Sequence, residues 1–390
     1  MKYNFDKVID RSGTSAEKVE GLKHIWGRTD LIPLWVADMD FATAPFVTDA
    51  IRKRCENEVL GYTGKPDSYY NAIINWVKQR YDLIVTKEVI NFVPGIVPGI
   101  GMAMNCFTQK GDKVMIQPPV YHPFAWVTTR NERTLVINPL KWENGMYRMD
   151  LDAFREQIKG CKLFILCNPH NPGGVVWTEA ELRAIADICY DEKVLVFSDE
   201  IHADLTLPPH THRPFATVSE KARMNSVTFM SPSKAFNMPG LSASHALIFN
   251  EDLRKRFRIY MDAGELDMGH VFAFLSVEAA YSHGTEWLDQ CLAYIQGNID
   301  FVDEFLKKHA PKIKAIRPEA SYLVWLDCRE LELSQKDLNE FFVDKAHLAL
   351  NDGEMFGKEG IGFMRLNVAS PRCIIEKAMK QLADAYQLYI

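Results

Sequence analysis

The sequence lacks the features that mark several classes of protein. Its eight cysteines include no CxxC pair and no regular spacing, which argues against a structural zinc site and a disulfide scaffold. The longest stretch without a charge, residues 89–109, is broken by two prolines and three glycines, so it does not predict a membrane-spanning helix. Charge is evenly spread, with 45 basic and 51 acidic residues and a net charge of −6. Nucleic-acid binding requires a concentrated basic face. We therefore expect neither a membrane nor a nucleic acid as partner.

The N-terminal residues give no sign of a secretory signal. They mix charged and polar side chains with no apolar run behind them. Together with thiols that we interpret as reduced, this predicts a cytoplasmic protein. The 390 residues, 47% of them hydrophobic, are enough for two or three domains with a conventional core.

The pattern of apolar residues favours an α/β architecture. From about residue 43, short apolar runs alternate with longer amphipathic ones, which is typical of a mainly parallel sheet with flanking helices. A helix is predicted over 67–81, capped by Asp67, and a capping box, Thr178 with Glu181, marks the start of another. The helix over 67–81 is expected to bury Tyr70, Ile73, Ile74, Val77 and Tyr81. Buried strands are predicted at Ile90–Val93, Lys113–Gln117, Thr134–Asn138, Lys162–Cys167, Val194–Ser198, Ser226–Met230 and His245–Phe249.

The pattern of predicted helices and strands changes near residue 285. A long amphipathic helix over 287–309 is followed by a short strand near 322–326 and by helices near 334–346 and 371–387. We expect a large domain over 46–285 and a smaller α/β domain over 286–390. Residues 1–45 are expected to form an N-terminal segment that packs against the small domain.

Polar segments follow four of the predicted strands. In open α/β sheets the ligand lies outside the carboxyl ends of the strands. The chain there reads PPVYHPF from Pro118, NPHNPGG from Asn168, DEIH from Asp199 and SPSKAF from Ser231. These segments bring an aromatic ring, a carboxamide, a carboxylate and a primary amine to one rim of the sheet.

Lys234 has two interpretations at this stage. It is either a solvated surface lysine, as most are, or an amine whose pKa is lowered by burial and which forms a Schiff base with a carbonyl cofactor. Asp199 ends an apolar run, so its carboxylate is expected near the buried sheet, where it needs a cationic partner. A protonated pyridine nitrogen would be such a partner.

The segment around Gly95 predicts an anion site. A strand ends there, and Pro98 stands where the first turn of a helix tolerates proline. The free amides of Ile96 and Val97 would then point out of the helix N-terminus toward an anion, although a plain tight turn is equally compatible with the residues. With the hydroxyls of Ser231 and Ser233 across the rim, a phosphate is the expected occupant.

These motifs together resemble a known family. GIVPG, PPVYHPF, NPHNPGG, SDEIHADL, SPSKAFN and FMRLNVA, in this order over nearly the whole chain, are similar to the fold-type I pyridoxal-phosphate enzymes. The resemblance is to the cystathionine β-lyase (MalY/PatB) branch of the class I/II aminotransferase superfamily. It implies a large domain with a mainly parallel sheet, a smaller α/β C-terminal domain, and pyridoxal 5′-phosphate as cofactor.

The resemblance also implies roles for particular residues. Lys234 would hold the cofactor covalently and shuttle the substrate α-proton, and Asp199 would pair with the pyridinium nitrogen. Asn171 would hydrogen-bond the phenolate oxygen and Tyr121 would stack on the ring. The phosphate would be bound by Ser231, Ser233 and the amides of Ile96 and Val97, and by Tyr62 of a neighbouring subunit in a homodimer with shared sites.

Arg365 is matched to the substrate rather than to the cofactor. The resemblance implies that it grips the α-carboxylate in a bidentate pair, and an unpaired buried cation in a strand would otherwise be costly. Without the resemblance, the residues themselves favour Tyr62 and Tyr121 as core aromatics, and Asn171 could be only a turn residue before proline.

Two positions depart from the transaminase pattern. Where many transaminases carry a tyrosine, this chain has His202, and the lyase branch also has a histidine there. His202 is therefore included among the expected cofactor-binding residues. Ser242 replaces a phosphate-binding arginine, which leaves less positive charge around the phosphate. The histidines near the rim, and the pair His210 and His212, are not expected to bind a metal.

The expected activity is a carbon–sulfur β-lyase acting on L-cystathionine or a cysteine S-conjugate. An aminotransferase with the same site is the alternative among enzymes. A regulatory or interaction protein that retains the cofactor fold is the alternative from another class.

Overall fold

The computed structural model describes residues 2–389 and contains two main sheets. Within these residues the strands are β1 (Ile32–Pro33), β2 (Ile90–Val93), β3 (Lys113–Ile116), β4 (Thr134–Ile137), β5 (Lys141–Glu143), β6 (Met146–Arg148), β7 (Cys161–Cys167), β8 (Leu195–Asp199), β9 (Ser226–Met230), β10 (Ser244–Leu247), β11 (Lys314–Ile316), β12 (Leu323–Asp327), β13 (Leu348–Ala349), β14 (Asn351–Asp352) and β15 (Phe363–Asn367). Seven of them form the large sheet, in the order β2-β10-β9-β8-β7-β3-β4. Only β10 runs antiparallel to its neighbours there, so the expected mainly parallel sheet is confirmed.

Helices cover both faces of the large sheet. The helices of residues 2–389, including those that flank the second sheet and the N-terminal segment, are α1 (Glu17–Trp26), α2 (Pro45–Cys55), α3 (Asp67–Tyr81), α4 (Ile96–Phe107), α5 (Pro123–Arg130), α6 (Leu151–Gln157), α7 (Glu179–Asp191), α8 (Glu220–Met224), α9 (Glu251–Ala263), α10 (Val271–His283), α11 (Thr285–His309), α12 (Gln335–Glu340) and α13 (Arg372–Tyr389). Along β7, Phe164 and Leu166 pack into one core cluster and Leu163 and Ile165 into another. A strand buried on both faces reads as a continuous apolar run, and this run located β7 in the sequence.

The bounds of α3 agree with the prediction, but its capping does not. Asp67 is the first helical residue rather than the cap; Pro66 precedes it, and the Asp67 carboxylate pairs with Lys87 at 2.6 Å. The most buried face is also rotated, because Tyr69 and Trp76 lie in the core. The capping box of Thr178 and Glu181 at the start of α7 is confirmed.

The second sheet is formed late in the chain, in the order β11-β12-β15-β14. It is antiparallel throughout. The N-terminal segment meets this part of the molecule directly, since β1 pairs with β13 in parallel and the Leu34 carbonyl accepts from the Asn367 amide at 2.9 Å. The division of the chain at residue 285 stays a prediction; Gly284 separates α10 from α11 at that point.

The predicted helix near 334–346 is shorter than expected. Regular helix ends at Glu340, and the chain continues to Lys345 as a π-helix in which Phe341 and Phe342 are both buried. No helix among residues 2–389 combines the length and the apolar character needed to cross a membrane.

Candidate active site

A cavity of about 200 Å³ opens at the carboxyl ends of the parallel strands. β7 and β8 are paired so that Cys167 lies beside Asp199, and this register sets the segments that follow both strands side by side. The lining includes eight of the residues predicted from sequence: Ile96, Val97, Tyr121, Asn171, Asp199, His202, Ser233 and Lys234.

Lys234 points its amine into this region from the segment after β9. Its Nζ donates to the carbonyl oxygen of Ala37 at 2.5 Å. Burial lowers its pKa to about 8; Asp38 and Asp199 act in the opposite direction, and Arg365 adds to the lowering. The amine therefore has a substantial neutral fraction near neutral pH, as a nucleophile or a base requires.

Asp199 is buried at the end of β8 with little to neutralise it. One carboxylate oxygen accepts from the Ile201 amide at 3.1 Å, and within residues 2–389 no lysine, arginine or histidine forms an ion pair with it. Its pKa is raised to about 7, chiefly by desolvation and in part by the neighbouring Glu200, while the Ile201 amide and Lys234 act in the opposite direction. A cation placed in the cavity would remove this penalty.

The N-terminus of α4 also lines the cavity. The helix begins at Ile96 after Gly95, which offers no side-chain cap, so the first amides are free to bind an anion. Ser233 and Ser242 line the same cavity. Ser231 does not line the cavity. Its hydroxyl donates to the Ala243 carbonyl at 2.8 Å and lies 2.9 Å from Ser233 Oγ, from which it accepts.

Arg365 lies beside the cavity on β15 and is 3% exposed. It donates to Asn171 Oδ1 at 3.1 Å, to Asn351 Oδ1 at 2.5 Å and to the Trp35 carbonyl at 3.0 Å. Its Nε has no partner, and among the described residues no carboxylate pairs with it. Burial lowers its pKa to about 10. The side-chain oxygen of Asn171 thus accepts from Arg365, and its NH₂ group is left to donate into the cavity.

His202 and Tyr121 enter the cavity as uncharged rings. Burial lowers the pKa of His202 to about 3, and its Nδ1 is buried with no partner. Burial also raises the pKa of the Tyr121 hydroxyl. A neutral aromatic surface is suited to stacking against a flat ring.

Tyr62 is the one predicted site residue that lies far outside this arrangement. Its side chain is 97% exposed, and it lines a separate surface cleft with Leu60 and Met268. Conversely, no sequence motif indicated Ala37, whose carbonyl accepts from Lys234, or Tyr322, whose hydroxyl donates to the same carbonyl at 2.9 Å. Lys234 and Ala37 are 197 positions apart, so no local sequence motif indicates their contact.

The fold and the site together define an aminotransferase-like protein of fold type I. The model of the family "Aminotransferase class I and II" matches residues 29–382, so the chain belongs to this family.

Within the family, relatives match along the whole chain. The chain is 38% identical to the cystathionine beta-lyase PatB of Bacillus subtilis, over 98% of this chain and 99% of that protein. It is 30% identical to the protein MalY of Escherichia coli, over 98% of both. The structure of a PLP-bound C–S lyase from Staphylococcus hominis superimposes with a TM-score of 0.91 at 35% identity, covering 99% of this chain and 98% of that one. The predicted resemblance is confirmed.

Proposed function

We propose that this protein is a pyridoxal-phosphate-dependent carbon–sulfur β-lyase. It would cleave L-cystathionine or a cysteine S-conjugate, consuming one water and releasing a thiol, pyruvate and ammonia. The observation that carries the proposal is a mismatch of buried charges: within residues 2–389 no cation pairs with Asp199 and no carboxylate pairs with Arg365, and both of these charges act on the amine of Lys234. Buried charges are normally paired, so these residues are arranged for partners that arrive from outside.

The cavity fits pyridoxal phosphate at each functional group. Asp199 offers a carboxylate to the ring nitrogen, and the free NH₂ of Asn171 offers a donor to the phenolate oxygen. The uncapped amides of Ile96 and Val97 offer donors to the phosphate, with the hydroxyl of Ser233 beside them. Tyr121 and His202 present neutral rings, the Tyr121 ring for stacking.

Ser242 sits where an arginine would otherwise add positive charge to the phosphate end. The cavity wall there carries Ser242 and Ser244, and no lysine or arginine of the described chain except Lys234 lines the cavity. Binding of the phosphate would therefore depend on hydrogen bonds and on the helix N-terminus rather than on a guanidinium.

The chain's own residues position the substrate and move its proton. When bound, the cofactor supplies an electron sink for the negative charge that develops at the substrate α-carbon. Arg365, with its Nε unpartnered, binds the α-carboxylate. Lys234, once its amine is free, takes the α-proton, and its lowered pKa keeps a neutral fraction available for this step.

The assembly and the location belong to the same proposal. We infer a homodimer in which Tyr62 of each chain reaches the phosphate site of the other, which is supported by a tyrosine that is 97% exposed in a single chain. The two-part division of the chain, with the N-terminal segment joined to the smaller part, is supported by the pairing of β1 with β13. Eight free cysteines, none in a disulfide, support a cytoplasmic location.

Incubation with L-cystathionine and no keto acid tests the activity. The lyase predicts multiple turnovers, with pyruvate, ammonia and free thiol released in equal amounts. Lys234→Ala should abolish turnover because the variant loses the amine that moves the α-proton, and Lys23→Ala, on the exposed side of α1, is the matched control.

Two outcomes would overturn the proposal. If the reaction stops after one turnover and resumes only when a keto acid is added, the protein is an aminotransferase. A protein that binds the cofactor but leaves cystathionine unchanged would favour a binding role.

A further inference from the structure

The residues from Trp35 to Phe41, here called the 35–41 segment, form hydrogen bonds both to β15 and to the segment that follows β9. Asn367 of β15 donates to the carbonyl oxygens of Val36 and Asp38, each at 2.7 Å. Asn237, three residues after Lys234, donates to the carbonyls of Met39 and Phe41 and accepts from the Met39 amide. The backbone of the segment is therefore fixed from two sides.

Two backbone carbonyl groups of the 35–41 segment accept hydrogen bonds from the two basic side chains of the site, Lys234 and Arg365. The Trp35 carbonyl accepts from Arg365, and the Ala37 carbonyl accepts from Lys234 at 2.5 Å and from the Tyr322 hydroxyl. The position of the backbone at Ala37 thus sets where the free amine of Lys234 rests.

Asp38 and Asp40 of the segment form ion pairs with Lys18 and Arg11 outside the cavity. Lys18 is 0% exposed, and its Nζ lies 2.8 Å from Asp40 Oδ2 and 3.7 Å from Asp38 Oδ1. Its Nζ also donates to the Asp38 carbonyl at 3.3 Å. Arg11 pairs with Asp38 at 2.6 Å and with Asp40 at 3.2 Å. A buried ammonium is costly unless it is paired, so this contact is well specified.

We propose that Lys18 and Asp38 are positioning residues for Lys234, acting through the backbone of the 35–41 segment and through the balance of charge next to Ala37. The inference rests on the proposed function only in taking Lys234 as the reactive amine. Neither Lys18 nor Asp38 lines the cavity, so neither is a catalytic residue.

The charges around Lys234 determine the direction in which its pKa should shift. The titratable groups that face it from the packed elements are Asp38, Asp199, His202, Tyr322 and Arg365. His202 and Tyr322 are uncharged near neutral pH, because burial lowers the pKa of the first and raises that of the second. Asp38 stabilises the ammonium form of Lys234, and Lys18 and Arg11 offset part of that effect by neutralising Asp38.

Substitutions at Lys18 and Asp38 should therefore shift Lys234 in opposite directions. Lys18→Met leaves Asp38 and Asp40 with one counter-charge fewer and should raise the pKa of Lys234 by about 0.5 to 1 pH unit. Asp38→Asn should lower it by a similar amount. Lys23→Met, an exposed lysine on the same helix, should leave it unchanged.

The measurement is the pH dependence of Lys234 acetylation in the full-length chain without cofactor, read by peptide mass spectrometry. Because neither cofactor nor substrate is present, failure of the lyase assay would not affect the result. If Lys18→Met does not fold, Arg11→Gln removes the other cation paired with Asp38 at a site 24% exposed and should shift the pKa in the same upward direction.

Opposite shifts from the two substitutions support the inference. A merely structural role would leave the pKa of Lys234 unchanged in folded variants. Unchanged values, or shifts of the same sign for Lys18→Met and Asp38→Asn, would overturn it.

Discussion

At the scale of single residues, hydrogen bonding separates one functional carboxylate from its neighbours. Glu200, next to Asp199, is equally buried but accepts from the Ser198 hydroxyl, the Phe215 amide and His212. Asp199 accepts one backbone hydrogen bond only. The sequence predicted Asp199 from its place at a strand end, but it could not show that Glu200 is satisfied, because two of the three donors come from 12 and 15 residues further along the chain.

The raised pKa of Asp199 predicts a pH-dependent cost to the cofactor-free chain. The carboxyl keeps its proton in the folded state up to about pH 7 but loses it near 3.8 when unfolded. Its contribution to the free energy of unfolding therefore falls as the pH rises from about 4 to about 7 and is constant above that. Asp199→Asn should remove this loss and be more stable than the unaltered chain at pH 8 by on the order of 1 to 4 kcal/mol.

Urea unfolding of both cofactor-free proteins at pH 5 and pH 8 measures this effect. The same substitution should weaken retention of the cofactor, since the ring nitrogen loses its ionic partner. An Asn variant with the same pH dependence as the unaltered chain would contradict the assignment.

At the scale of secondary structure, the contact between β2 and α4 places the anion site. The sequence predicted the strand bounds and the helix start correctly, because Gly95 and Pro98 act locally on the backbone. Gly99 allows the helix to approach the strand: a Cβ there would lie 2.9 Å from Val93 Cγ2 and 3.2 Å from Phe229 Cε1.

Gly99→Ala should therefore push α4 away from the sheet and displace the free amides at its N-terminus. We expect a loss of about 1 to 3 kcal/mol in the free energy of unfolding together with faster release of the cofactor. Gly297→Ala in α11 is the matched control, because its Cβ would meet only the Arg372 side chain at an ordinary 3.4 Å. The control should be neutral or stabilised by up to about 1 kcal/mol. Equal stability and equal cofactor retention in the Gly99 variant would contradict this role for the close contact.

At the scale of the whole molecule, the sequence predicted the rim of the large sheet better than the contacts across the molecule. The motifs after β7, β8 and β9 meet because parallel strands end at one edge, which follows from topology. The contact of Lys234 with Ala37 and that of Arg365 with Trp35 join residues 197 and 330 positions apart. No periodicity or spacing encodes such contacts, so the role of the 35–41 segment emerged only from the structure.

The proposed dimer is tested at the same scale. The protein should sediment as a dimer, and Tyr62→Phe should release the cofactor about tenfold faster, because a hydrogen bond to a charged phosphate is lost. Tyr190→Phe, at a tyrosine that is also exposed but lies on α7, is the control. A monomer whose cofactor retention is unaffected by Tyr62→Phe would rule out shared sites.

If Lys234 binds the cofactor covalently, borohydride reduction will fix the cofactor on this residue. The protein is reconstituted with pyridoxal phosphate, reduced and digested, and the modified peptide is located by mass spectrometry. We expect a stable adduct on Lys234, and none on this peptide in Lys234→Ala. A reduced protein without an adduct, or with its adduct on another lysine, would show that Lys234 is not the residue that binds the cofactor.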